Sequence, residues 1–187
     1  MNTEIKNTLA VVAAGGIILY PTDTIWGIGC DATDAAAIRR IYDLKQRDDS
    51  KSLIMLLAEA KDIFRYVANP QPDIVDMIMS FERPTTVIYD QAIGLPDNLV
   101  NADGSIAIRV TRDSFCKSLI KRLKKPLVST SANISGQPSP QAFGEIDPAI
   151  INGVDYVVDH RREEKEAIPP SRIIRMHADG SVTVIRP

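Results

Sequence analysis

The chain's 187 residues suffice for one domain with a substantial core and are too few for two, so a single domain over 1–187 is expected. With 44% apolar and 25% charged residues, no run of about eighteen apolar residues and no basic-then-apolar leader, the sequence is that of a soluble globular protein, expected in the cytoplasm, without a membrane helix or secretory signal. Its net charge of −2 argues against a surface built throughout to hold a polyanion and leaves a local basic site open; Cys30 and Cys116, far apart and without histidines at ligand spacing, read as core residues rather than a disulfide or zinc site.

Ile5, Leu9 and Val12 fall on one face of a helix predicted over 3–14 and ended by Gly15-Gly16. The apolar run 17–20 reads as a strand covered on both faces. It stops at Pro21-Thr22-Asp23-Thr24, as a buried strand does when it ends in a loop facing a ligand. After the glycine-punctuated stretch 25–30, Thr33 or Asp34 caps a helix whose inner face carries Ala35, Ile38, Ile41 and Tyr42. Lys45 continues that face. Lys45 and Arg47 then allow two readings: cations that snorkel and complement the helix C-terminus, or cations with an anionic partner.

A second buried strand is predicted over 53–57, followed by helical segments over 59–68 and 72–81. Short strands over 85–89 and 106–110 are joined by turn residues at Gly94 to Asn98 and Asp103-Gly104. Asp113 caps a helix with Phe115, Leu119 and Leu123 inward and Lys117, Lys121, Lys124 and Lys125 outward; that lysine run reads either as a solvated face or as an RNA contact. A strand at 126–128 runs into Ser129-Thr130-Ser131-Ala132-Asn133-Ile134-Ser135-Gly136, a serine-rich loop or cap by composition alone. Asp147-Pro148 starts a helix, 154–158 is a strand, and the charged segment 159–166 reads as a mobile loop. Asp179-Gly180 marks a hairpin turn before a last strand over 182–186. This order of elements predicts an α/β fold with a twisted, open, mixed sheet and flanking helices.

Familiar catalytic signatures are missing: there is no phosphate-binding Gly-x-x-x-x-Gly-Lys loop, no Gly-x-Gly-x-x-Gly, no Gly-x-Ser-x-Gly, and both histidines, His160 and His177, lie late in the chain. What remains is a set of fixed cations, Lys45, Arg47 and Arg109, with hydroxyl and amide groups at Thr22, Thr24, Ser129, Ser131 and Asn133. Both polar loops leave the ends of apolar strands, where ligands bind in open α/β sheets. Cations and neutral hydrogen-bonders without an evident base suit phosphoryl or nucleotidyl transfer, in which the protein chiefly positions phosphate oxygens and neutralises charge.

Five segments in this order resemble the YrdC-type threonylcarbamoyl-AMP synthase family: Tyr20-Pro21-Thr22-Asp23-Thr24 with Trp26-Gly27-Ile28-Gly29, Lys45-Gln46-Arg47, Ile106-Ala107-Ile108-Arg109-Val110, Ser129 to Gly136, and Ile185-Arg186-Pro187. The resemblance covers nearly the whole chain. It implies a twisted mixed sheet around a basic cavity, and an enzyme that joins L-threonine, bicarbonate and ATP into threonylcarbamoyl-AMP and pyrophosphate with Mg2+. The activated group would then pass to transfer RNA through downstream threonylcarbamoyl-transfer proteins. By motif, Lys45, Arg47, Ser131 and Asn133 match the family's catalytic tetrad, with Lys45 and Arg47 on the ATP phosphates and Asn133 on the nucleotide side. Thr22, Arg109, Ser131 and Ser171 match threonine-binding positions, and Ser105 and Arg186 match ATP-side positions. No protein metal ligand is implied.

The chain departs from the family at Asp48 and Ser52, where prolines are usual, at Glu82-Arg83-Pro84-Thr85-Thr86, and at Arg172. The sequence ends after Arg186-Pro187, so the extra C-terminal domain of longer relatives is expected to be absent. Two other functions stay open from sequence: binding of double-stranded RNA or transfer RNA without catalysis, and formation of a carbamoyl-adenylate.

Overall fold

A computed structural model describes residues 1–47, 53–164, 168–177 and 179–187. Its elements are α1 (Asn2–Ala13), β1 (Ile18–Tyr20), β2 (Gly27–Gly29), α2 (Ala35–Lys45), β3 (Ile54–Leu57), α3 (Ile74–Ser80), β4 (Thr85–Tyr89), β5 (Ile106–Val110), α4 (Ser114–Leu123), β6 (Leu127–Ser131), α5 (Pro148–Gly153), β7 (Tyr156–Val157), β8 (Arg172–Met176) and β9 (Val182–Arg186), with 3-10 turns at Ala60–Arg65 and Phe143–Glu145. The strands form one sheet in the order β7-β1-β2-β6-β3-β5-β4-β8-β9. Pairs β1/β7, β3/β5 and β4/β8 are parallel and the other neighbours antiparallel, the mixed α/β sheet that the order of elements predicts.

The two faces of the sheet are covered unequally. On one, Ile38, Ile41 and Tyr42 of α2 and Ile74 and Ile78 of α3 pack with Leu19, Ile28, Met55, Ile108 and Val87 in a continuous core. On the other, Ile5 and Val12 of α1 and Phe115 and Leu119 of α4 pack with Ile18, Tyr20, Leu56 and Leu127, at the β1 to β3 side. Beyond these helices, from the end of β6 across to β9, the second face stays open as a cavity.

Three expectations change in the structure. The glycine-punctuated stretch 25–30 contains a strand, β2, paired with both β1 and β6; three residues with two glycines carry too little side-chain pattern to announce it. The helix expected over 59–68 is a 3-10 turn bounded by Glu59 and Tyr66. The segment 159–164, read as mobile, is fastened: Arg161 donates to Asp113, Glu164 and the Thr22 carbonyl, and Arg162 donates to the Val157 and Val158 carbonyls. The remainder of that segment, 165–166, lies outside the described residues, as do Asp48 and Ser52.

Of the two residues proposed to cap α2, Asp34 does so, accepting from Ala36 N at 2.9 Å and Ala37 N at 3.0 Å, while Thr33 turns back onto Asp31. Replacing Asp34 with alanine orphans both amides and is expected to cost about 1 kcal/mol in urea unfolding. An unchanged midpoint would show that α2 is held by packing alone.

Candidate active site

The open part of the sheet encloses a cavity of about 420 Å3. Strand register explains its composition. Cross-strand partners share a face, so Leu56, Arg109, Thr86 and Ile173 make one row across β3, β5, β4 and β8. Ile54, Ala107 and Ile88, two residues along, make the next. The row carrying Arg109 therefore lies beside an apolar floor. Ser129 and Ser131 of β6, Gly27 of β2 and Trp26 close one end, and Ser171, Ile185 and Arg186 close the other.

Arg109 is only 3% exposed and reaches the cavity from near the C-terminal end of β5. Its Nη2 pairs with Asp23 Oδ1 at 3.2 Å, an ion pair without hydrogen-bond alignment, and its buried Nε has no hydrogen-bond partner among the described residues. Asp23 is itself fixed, since Oδ2 accepts from Thr111 Oγ1 at 3.1 Å and from Arg112 N at 3.0 Å. The Asp23 carboxylate thus holds the guanidinium on one side and leaves another donor unused.

Arg186 donates from Nε and Nη2 to the Ser171 carbonyl at 3.0 and 2.6 Å, and Ser171 Oγ shares a 2.8 Å hydrogen bond with Thr86 Oγ1. Burial, and then the nearby charges of Arg109 and Arg83, lower the pKa of Arg186. Burial lowers that of Arg47 as well, with Tyr42 opposing. Three guanidinium groups, Arg47, Arg109 and Arg186, line the cavity, and no Asp or Glu does so among the described residues. Such a site favours an anion with several oxygens.

The motif residues divide. Arg47, Arg109, Ser131, Ser171 and Arg186 line the cavity; Lys45, Asn133, Thr22 and Ser105 do not. Thr22 Oγ1 donates to the Ile25 carbonyl at 2.8 Å and bonds Thr24, so its hydroxyl folds the loop and it is Thr24 that faces the cavity. Ser105 Oγ donates to Asp103 Oδ1 at 2.6 Å and accepts from Asn101, locking the turn before β5. Asn133 Nδ2 donates to the Ile134 and Gln137 carbonyls, and fully buried Lys45 sends its ammonium to the carbonyls of Ser131 and Asn133, both at 2.5 Å.

Other cavity residues carried little advance signal. Trp26 lies within the segment 20–29 that carries the resemblance, which implies no role for it. Trp26 lies 4.9 Å from the Phe143 ring, over which Arg162 sits at 5.0 Å, so the cavity wall is backed by residues far along the chain.

Burial, and then the neighbouring charge of Arg47, lower the Lys45 pKa from its ordinary 10.5 to about 7. Below pH 7 both the folded and the unfolded chain hold this proton, and the cost of burying the charge is fully present. Between about 7 and 10.5 the unfolded chain binds more protons, so this group makes stability rise with pH, by on the order of 1 kcal/mol per pH unit. Urea unfolding of the protein and of Lys45→Met at pH 7.5 and 9.5 should therefore show the wild type gaining relative to the variant. A pH-independent difference would contradict the buried, depressed amine.

Fold and cavity together define an α/β protein with an arginine-lined pocket for a small polyanionic ligand. The family model Sua5_yciO_yrdC, described as Telomere recombination, matches residues 10–187, and the chain belongs to that family. It is 33% identical over 160 residues to a threonylcarbamoyl-AMP synthase of Pseudoalteromonas translucida (strain TAC 125), covering 84% of this chain and 86% of that protein. Its fold is similar to P. abyssi Sua5 complexed with L-threonine (TM-score 0.85, 21% identity, 98% of this chain and 53% of that one). It is also similar to E. coli YciO (TM-score 0.82, 22% identity, 100% and 89%). The chain spans about half the length of P. abyssi Sua5.

Proposed function

We propose that the protein is an L-threonylcarbamoyladenylate synthase, making threonylcarbamoyl-AMP and pyrophosphate from L-threonine, bicarbonate and ATP. The observation that carries this reading is a cavity in which Arg47, Arg109 and Arg186 converge with Ser131 and Ser171 and which no Asp or Glu lines among the described residues, in a chain one-third identical to a threonylcarbamoyl-AMP synthase. Arg109, with its spare Nε and its orientation fixed by Asp23, suits the threonine carboxylate. Arg47 and Arg186 suit the triphosphate, with Ser131 and Thr24 placed to bond substrate oxygens between them. The apolar floor of Ile54, Ala107 and Ile88 suits the adenine ring.

The threonine amine adds to carbon dioxide derived from bicarbonate, giving a carbamate. A carbamate oxygen forms a bond to the α-phosphorus while the bond from that phosphorus to the bridging oxygen breaks, and its electron pair leaves with pyrophosphate. Fixed guanidinium groups stabilise the charge that develops on the phosphate oxygens. Among the described residues no group of three His, Cys, Asp or Glu side chains could hold a metal ion, so magnesium fits here as a companion of the ATP phosphates. Delivery of the product to transfer RNA by transfer proteins, and a cytoplasmic site of action, extend the same reading; no helix among the described residues is long and apolar enough to cross a membrane.

RNA binding without catalysis has less support. Of the outer lysines, Lys121 pairs with Glu59 and Lys125 with Asp31, both at 2.5 Å, so part of that basic face is internally neutralised. Pyrophosphate release separates the functions: threonine-dependent release in the presence of ATP, Mg2+ and bicarbonate is expected. Release that requires carbamoyl phosphate in place of threonine would point to a carbamoyl-adenylate, and none with either would leave the binding role.

A further inference from the structure

We propose that the crevice at the C-terminal ends of β3 and β5 is a second anion site, separate from the cavity, and that its ligand is a phosphate anion. Topology puts a crevice there. β3 and β5 are parallel neighbours, yet the chain leaves them toward opposite faces: after β3 it buries Ala60, Ile63 and Ile78 on the α3 side, and after β5 it buries Phe115 and Leu119 on the α4 side. Neighbouring parallel strands whose connections part in this way leave an opening beyond their carboxyl ends, where ligands bind in α/β sheets. Here the opening has a volume of about 100 Å3 and shares no lining residue with the substrate cavity.

Three cations meet in it from three elements: Arg83 from the turn before β4, Arg112 from the turn after β5, and Lys117 from α4. The backbone under each is fixed. Thr85 Oγ1 donates to the Arg83 carbonyl at 3.0 Å, Arg112 N donates to Asp23 Oδ2 at 3.0 Å, and Lys117 N donates to the Asp113 carbonyl at 3.0 Å within α4. Arg112 Nη2 donates to the Phe81 carbonyl, so this guanidinium spans from the end of β5 to the end of α3 with further N–H groups to spare. Neither the Arg83 guanidinium nor the Lys117 ammonium has a hydrogen-bond or ion-pair partner among the described residues. Glu59 is the one carboxylate in the lining among those residues, and Lys121 holds it at 2.5 Å. Asp113, beside Arg112, is taken by Arg161 and by the Cys116 amide, both at 2.7 Å.

Two guanidinium groups and an ammonium on fixed backbone, unmatched by acid, suit a compact anion with several oxygens. Ile78 and Phe81 keep one side of the opening apolar, which strengthens the pull of the cations on such an anion. Orthophosphate and pyrophosphate both carry this chemistry; only the second, as a reaction product, rests on the synthase reading. Arg83 lies in the segment 82–86 at which the chain departs from its family, which makes the site a feature of this sequence.

The test is a titration of the full chain with sodium orthophosphate and, separately, sodium pyrophosphate, followed by amide 1H–15N spectra at an ionic strength held constant with sodium chloride. Amides at 59, 83, 85, 112 and 117 should shift along one saturating curve with a midpoint of about 1 mM, the scale of a few charge-assisted hydrogen bonds at a partly exposed site. Cavity amides at 131, 171 and 186 should follow a curve of their own. Combining Arg83→Ala with Lys117→Ala should weaken the crevice curve about ten-fold or more. The cavity curve should stay within about three-fold of wild type, since the Arg83 charge is also felt at Arg186. Neither side chain bonds another described residue, so the double variant keeps the fold; Lys117→Gln alone should give a loss of about three-fold. The anion with the lower midpoint identifies the occupant. Shifts reproduced by sodium chloride alone, no crevice shifts below about 10 mM of either anion, or wild-type crevice affinity in the double variant would overturn the site. None of these readouts involves threonine or turnover, so loss of the site and loss of the synthase reading are separate results.

Discussion

Arg109→Ala should lower threonine-dependent pyrophosphate release by about 1,000-fold, the scale seen when a fixed donor to a charged reactant is removed. The guanidinium is carried near the C-terminal end of β5, its Nη2 committed to Asp23 and its Nε without a hydrogen-bond partner among the described residues. No other cation lining the cavity comes from β5 or from either strand beside it. Removal also leaves the partly buried Asp23 with only Thr111 and Arg112 to satisfy it, so stability should fall by about 2 kcal/mol. Kinetics and urea unfolding must be read on the same samples, at a temperature where the variant is folded. Arg109→Lys should remain within a few-fold of alanine, because an ammonium cannot meet Asp23 and a second carboxylate with fork geometry. Full activity in Arg109→Lys would reduce the site to one of net charge.

The second large effect concerns the wall behind the cavity. A Cβ on Gly29 would lie 2.2 Å from the Val128 carbonyl oxygen and 2.7 Å from Cε1 of Tyr20. Neither neighbour can yield: Val128 N donates to the Cys30 carbonyl, Val128 O accepts the Tyr20 hydroxyl at 3.0 Å, and Tyr20 is fully buried. Gly29→Ala should therefore cost about 3 kcal/mol in urea unfolding, by forcing β2 away from β6. Gly144→Ala, with nothing within 4 Å of its added Cβ, should stay within about 0.5 kcal/mol of wild type and serves as the control. Equal behaviour of the two variants would mean that β2 is not tightly seated.

These two sites show what a sequence discloses and what it withholds. Arg109 was legible because a charged residue interrupts an apolar strand at a position where its neighbours alternate inward and outward, and such a residue must have a partner or a ligand. The inner placement of Lys45 was legible too, from helical periodicity ending at Tyr42. Its partners were not, since they are backbone carbonyls on β6 and the following turn, and carbonyls leave no mark in side-chain identity. Thr22 and Ser105, expected as ligand contacts, bond their own loops for a related reason. A hydroxyl beside a proline or an Asp-Gly turn bonds its own loop as readily as a substrate, and here both do so. Strand β2 was invisible because glycine pattern carries no facing information, although those glycines let β1 and β6 approach it closely.

The fastened segment before β8 also supports the cavity wall. Arg161 ties it to the Thr22 carbonyl and to Asp113 at the start of α4, and Arg162 backs Phe143 and Trp26. The loop carrying Thr24 is thus braced from the far end of the sequence, as the Ser131 loop is braced by α2.

The most direct measurement is incorporation of radiolabelled bicarbonate into an adenylate by the purified protein with ATP and Mg2+, with and without L-threonine. The structure predicts labelled threonylcarbamoyl-AMP, formed with one pyrophosphate per product, only when threonine is present. Absence of any labelled adenylate with all substrates supplied would contradict it.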